Sequence, residues 1–182
     1  MEQNVSMKIN ELPSPTWNWL KVNETPIKWS NKIEPCEIAA EGDAVATETE
    51  QLLDIETGAG READAIFATE NTAKYQILAD NAGQDKTVRL HISGKKDAHT
   101  AGCVEIVAKE NSTLTVVMDS RVAPDATKEE ESTAEASLAV RVRMKVESGA
   151  SVRLVQVQMP QEHETLLSDI GGNLIGEGAK VE

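Results

Sequence analysis

The side chains that could do chemistry are few and widely spaced. The 182-residue chain has three histidines (His91, His99, His163) and two cysteines (Cys36, Cys103). His91 falls opposite the apolar trio Val88, Leu90 and Ile92, and Cys103 falls opposite Val104 and Ile106. A Cys103–His91 pair would make a thiolate nucleophile with its base, or two ligands of a metal. No C-x-x-C or H-x-x-H spacing supports the metal, and two thiols are too few for an ordinary cluster. Cys36 sits beside a proline in a segment read as loop. Its distance in sequence from Cys103 argues for two reduced thiols and against a disulfide framework.

The remaining candidates reduce to turns. Gly58-Ala-Gly60 lacks the third glycine and the preceding strand of a dinucleotide fingerprint. The cluster at 80–85, Asp-Asn-Ala-Gly-Gln-Asp, lacks the spacing and closing glutamate of a calcium loop. Asp169-Ile-Gly-Gly-Asn-Leu-Ile-Gly has no Gly-Lys-Ser/Thr, so it is read as a tight turn over 168–172 and not a phosphate cradle. The triplet Glu162-His163-Glu164 alternates faces and offers no carboxylate dyad. No catalytic residue and no metal ligand is assigned, and cofactor-binding positions stay unassigned.

The elements that would carry such residues are strands. In 138–146, Leu138, Val140, Val142, Met144 and Val146 alternate with Ala139, Arg141, Arg143 and Lys145, which predicts one buried and one wet face. Period-two alternation also runs through Tyr75–Ile77, Val88–Ile92, Val104–Ala108 and Leu114–Met118. In 152–159 the apolar phase slips by one, which predicts a bulge or corner, and Pro160 ends that strand. The phrase Glu-(x)-Gly-Ala-x-Val occurs at 147–152 and 177–181, with a looser copy at 110–116. A turn followed by a strand, recurring roughly every 30 to 37 residues, is a solenoid signature.

Upstream, prolines at 13, 15 and 26 restrict helix, leaving room for a short one over 16–22. Trp17, Leu20 and Trp29 would form its packing face, latched onto the protein's own body or onto a partner. Residues 33–60 read as weakly structured, with an acidic, solvated loop at 41–51, and 61–71 as a short helix with Ile66 and Phe67 inward. Residues 121–135 read as a surface excursion. The expected layout is an irregular, partly helical segment over 1–72 and β-helix rungs over 73–182.

Composition narrows the classes further. Eighteen basic against 31 acidic residues give a formal charge of −13, which repels phosphate backbones and argues against nucleic-acid binding. No apolar run is long enough to span a membrane, and residues 1–11 show no signal-peptide pattern, so a soluble cytoplasmic protein is expected.

The opening Leu-Pro-Ser-Pro-Thr-Trp-Asn-Trp-Leu-Lys-Val-Asn (12–23), Val88-Arg-Leu-His-Ile92, and the run from Gly149-Ala-Ser-Val-Arg-Leu-Val-Gln-Val-Gln to Ser168-Asp-Ile-Gly-Gly-Asn-Leu-Ile-Gly-Glu-Gly-Ala-Lys-Val resemble the SufB/SufD family, nearest its SufD branch. These are the scaffold subunits of the SUF iron–sulfur cluster assembly machine. The resemblance implies an all-β fold, a right-handed parallel β-helix, and a non-enzymatic scaffold working with a SufB-like subunit and a SufC-like ABC-type ATPase. It assigns no residue here to cluster binding, since the family's functional positions lie in later rungs and a C-terminal helical region that this sequence does not match. Relative to the family the chain reads as C-terminally truncated. Its uncapped sheet end would allow a homodimer. The alternative from the residues alone is a generic β-solenoid module binding a protein or small ligand.

Overall fold

Alternate strands of this chain enter alternate sheets. The computed structural model describes residues 4–10, 24–68, 70–80, 82–122 and 136–182. The first sheet contains β6 (Ala73–Ala79), β8 (His99–Ala108), β10 (Ala136–Val146) and β12 (Glu164–Leu174). The second contains β7 (Asp85–Ser93), β9 (Thr113–Arg121), β11 (Ser151–Gln158) and β13 (Lys180–Val181). Every pairing among these eight strands is parallel. One antiparallel strand closes each sheet on the same side: β4 (Glu37–Gly42) on β7, and β5 (Val45–Glu48) on β6. The two-residue β3 (Glu34–Pro35) adds to β8. A separate hairpin pairs β1 (Asn4–Ile9) with β2 (Thr25–Ser30). The described chain is therefore all-β with mostly parallel sheets and one short helix, α1 (Arg61–Phe67). No described helix is long and apolar enough to cross a membrane.

Between the sheets lies one core. Val88, Leu90, Ile92, Leu114, Val116, Met118 and Val152 from the second sheet meet Ile77, Val104, Ile106, Leu138, Val140 and Val142 from the first. These are the inward-facing residues expected from the alternation, even-numbered from Val88 onward and odd at Ile77. Full burial of each such side chain contributes about 1.5–3 kcal/mol.

The recurring Glu-(x)-Gly-Ala-x-Val phrase marks where the chain turns into the second sheet. Gly83, Asn111, Gly149 and Gly178 all have positive φ, 76°, 58°, 67° and 76°. Each of the first three donates its amide to the next turn: Gly83 to the Asn111 carbonyl (3.1 Å), Asn111 to Ser148 (3.0 Å), and Gly149 to Glu177 (2.9 Å). Only glycine or asparagine enters this region at low cost, so the looser third copy keeps asparagine there. Strand partners one layer apart are offset by 28 residues (Asp85↔Thr113), 38 (Thr113↔Ser151) and 29 (Ser151↔Lys180). The longest offset contains the excursion expected at 121–135, most of which lies outside the described residues, as does the helix expected at 16–22 with Trp17 and Leu20.

Three local expectations are corrected. Residues 33–60 are not a loop throughout, because β3, β4 and β5 fall within them. Their small acidic side chains suit edge strands, where one side faces water. The phase slip at 152–159 is no bulge: β11 pairs with β9 without interruption from Ser151↔Thr113 to Gln158↔Ser120. The strand instead places Val155 and Val157 on its outer face, 37% and 40% exposed, and Met159 follows at 51%. Residues 168–172 do not turn, since they lie inside β12, with Gly171 at a close crossing described below. The helix expected over 61–71 forms as α1, burying Ala63, Ile66 and Phe67.

Candidate functional site

The two outer faces of this sandwich differ. Along β8 and β10 nearly every residue is buried whichever way it points, whereas β9 alternates buried with partly exposed positions. The outer face of the first sheet is covered by α1, the β1–β2 hairpin and the extended residues 51–60. Met7, Ile9, Trp29, Ile33, Ala63, Ile66 and Phe67 pack there against Ala101, Cys103, Ala139 and Leu167. Trp29 is fully buried, so the one described tryptophan latches onto the protein's own body.

Lateral register brings the chemistry of this face into two rows. One row is Cys103, Arg141 and Asp169; the next is Glu105, Arg143 and Gly171. Arg141 Nε donates to Asp169 Oδ2 at 2.7 Å, and its Nη2 lies 2.8 Å from Asp64 Oδ1 of α1. Its guanidinium also sits 4.2 Å above the Phe67 ring. Asp169 accepts from Thr57 Oγ1 (2.6 Å) and from the Ala59 amide (2.8 Å). Arg143 Nη1 is paired with Glu105 Oε1 at 3.3 Å, and Glu105 Oε2 accepts the Leu53 amide at 2.9 Å. Each buried carboxylate thus joins an arginine of β10 to the backbone of residues 51–60. Burial pushes the Glu105 carboxyl up, opposed by the Leu53 amide and Arg143. A Cβ on Gly171 would lie 2.1 Å from the Glu56 carbonyl oxygen, so glycine lets the crossing segment reach the sheet.

These charged residues were invisible to sequence reasoning, which placed Arg141 and Arg143 on a wet face. The signal that could have found them is the partner row: a carboxylate at Glu105 and another at Asp169, each one layer away from an arginine.

The structure separates His91 from Cys103. His91 belongs to the outer face of the second sheet, with Nδ1 3.7 Å from Asp119 Oδ2, while Cys103 belongs to the covered outer face of the first. The whole core lies between them, so they form no nucleophile–base pair. Cys36 lies on the core side of β8, where a Cβ on Gly102 would approach its Sγ to 2.4 Å. Burial, with Cys103 and Glu37 adding, pushes the Cys36 thiol up to about 12. Burial and the neighbouring Glu105 push Cys103 up to about 11. Both stay protonated at neutral pH, the opposite of an activated thiolate.

His99 contacts Ser137 (Nδ1 to Oγ, 2.5 Å) and packs 5.9 Å from the Trp29 ring, but Ser137 is buried and offers no access to a substrate. His163 is exposed on a turn before β12, with φ 67°. No group of three or more His, Cys, Asp or Glu among the described residues is arranged to hold a metal ion.

Two cavities accompany these groups. One of about 900 Å³ lies between residues 52–68 and β10, lined by Leu52, Ile55, Thr57, Phe67, Arg141 and Arg143 among others. One of about 470 Å³ lies beside Cys36, walled by Glu37, Glu48, Glu50 and Lys74. A scan against protein-family models and searches of curated proteins and of solved structures each find no match to this chain.

Proposed function

We propose that this protein is a scaffold of the SufB/SufD type, a SufD-like component of a SUF iron–sulfur cluster assembly complex, built as a right-handed parallel β-helix and working in the cytoplasm. The observation that carries the reading is the strict alternation of parallel strands between two sheets, with the positive-φ turns of the Gly-Ala-x-Val phrase stacked on one another. It is joined by the tryptophan-bearing leader and the Gly149–Val181 motifs on which the family resemblance rests. The role is structural and not enzymatic: the thiols are protonated, the buried carboxylates are committed to arginines, and His91 stands apart from both cysteines. Iron and sulfide would be cargo of the complex.

The partners are a SufB-like subunit and a SufC-like ATPase. A parallel sheet edge carrying exposed Ile170 and Leu174, with Ile175 just beyond it, is a surface on which a neighbouring subunit could continue the sheets. Co-expression of the tagged protein with SufB-like and SufC-like subunits tests the reading. It predicts a stable complex that develops visible iron–sulfur absorbance on anaerobic reconstitution. Failure to retain either partner overturns it.

A further inference from the structure

Among the described residues β12 is the outermost strand of the first sheet, so one of its sides meets no other strand. Ile175, just past β12, donates its amide to the Val146 carbonyl of β10 at 2.8 Å. Backbone groups along a strand point alternately to its two sides, so the odd-numbered residues of β12 pair with β10. Leu166, Ser168, Ile170, Gly172 and Leu174 therefore turn their amides and carbonyls to the open side. Such a row is a template for a further strand. One place in it is already taken: Gly58 donates its amide to the Ile170 carbonyl at 3.3 Å.

Residues 56–59 hook over this edge and are fixed there from both sides. The Glu56 carbonyl crosses the sheet at Gly171, and Asp169 accepts from Thr57 Oγ1 (2.6 Å) and from the Ala59 amide (2.8 Å). Asn10, just after β1, donates to the Ala59 carbonyl at 3.1 Å. A strand pairing with β12 would run about 4.7–4.9 Å away along the edge. At Ile170 that place is held by Gly58.

We propose that residues 56–59 are an autoinhibitory guard: they occupy the place of an incoming strand at Ile170, and the first sheet is extended only when they lift off. The exposed side chains of Ile170 and Leu174 are apolar surface that the arriving strand would cover. The identity of that strand rests on the scaffold reading, in which a SufB-like subunit continues the sheets. The action of the guard does not rest on it, because a freed edge also pairs with a second copy of the chain.

The test acts on the one bond to the edge. Gly58→Pro removes the amide, and its ring carbon overlaps the Ile170 carbonyl where the hydrogen lay. Gly58→Ala keeps the amide, and its Cβ meets only that carbonyl at 3.8 Å, an ordinary contact. Sedimentation velocity compares the full wild-type chain with both variants. Gly58→Pro should self-associate at a concentration about tenfold or more below that of the wild type, and Gly58→Ala should match the wild type. Hydrogen exchange of the associated variant should show new protection at the Ser168, Ile170 and Gly172 amides. Leu53, held separately on Glu105, should stay protected and report an intact fold. Self-association of Gly58→Pro no stronger than wild type, or protection gained away from β12, overturns the guard. A SufB-like subunit added to the same samples should bind Gly58→Pro faster than the wild type. If Gly58→Pro self-associates through β12 but no form retains that subunit, the guard stands and the scaffold reading falls.

Discussion

The two sheets share one core yet present opposite outer faces. The first buries Cys103, Glu105, Arg141 and Asp169 beneath a helix, a hairpin and an extended segment, while the second leaves Arg89, Val155, Val157 and Arg153 facing outward. Parallel sheets usually have both faces covered, because an apolar strand row needs a layer on each side. Here the second sheet departs from that habit by alternating polar residues outward. The first sheet follows it, and it carries charge inward only where each charge has an opposite partner. Equivalent local patterns, Val140-Arg141-Val142 and Val152-Arg153-Leu154, thus mean different things depending on what the rest of the chain lays over them.

The largest effect separating the faces should come from removing a charge on each. Arg141→Ala leaves Asp169 buried and uncompensated and should cost about 3–5 kcal/mol. Arg153→Ala, on the open face, should stay within about 0.5 kcal/mol of wild type. Urea unfolding of the two variants measures both, and equal losses would erase the distinction between the faces.

A neighbouring pair of glycines sharpens the comparison. Gly171→Ala drives a methyl into the Glu56 carbonyl and should destabilise by about 1–3 kcal/mol. At Gly172, which faces the other way, the nearest atoms to an added Cβ are 3.8 Å away, so Gly172→Ala should be close to neutral. Thermal melts of the two variants decide this, and a cost at Gly172 equal to that at Gly171 would place the crossing segment elsewhere.

The last effect is absent at neutral pH and appears only in alkali. Folded Cys36 and Cys103 titrate near 12 and 11 against an ordinary 9.0, so the folded state keeps protons that the unfolded chain gives up. Their contribution is fully present below pH 9 and is lost as pH rises through 11 to 12. The slope of stability against pH over that window should flatten in Cys36→Ala and Cys103→Ala. An unchanged slope in both variants would mean the thiols are not shielded.

Much of the core was legible in the sequence, because period-two alternation identifies Leu138, Val140, Val142, Leu90 and Ile92 without knowledge of their partners. The turn phrase likewise located Gly149 and Gly178. What could not be read was whether an outward-pointing residue meets water or another layer. Arg141 and Arg153 are equivalent in local pattern, and only the long-range packing of α1 and residues 51–60 distinguishes them. The same gap explains why Ser168-Asp-Ile-Gly-Gly read as a turn: Gly171 serves a crossing 115 residues away in the chain, at Glu56. His91 and Cys103 looked equivalent for the converse reason, each opposite an apolar run, although the two runs belong to different sheets.

The account depends most on the two carboxylate clasps that hold residues 51–60 to the first sheet, through Leu53 on Glu105 and Ala59 on Asp169. Hydrogen exchange of the wild-type protein and of Asp169→Asn measures this directly. The account predicts slow exchange of the Leu53 and Ala59 amides in the wild type, and in Asp169→Asn a loss of protection at Ala59 that exceeds the loss at Leu53, while outer-face amides of the second sheet are unchanged. Rapid exchange of both amides in the wild type, or protection at Ala59 that survives the substitution, would contradict it.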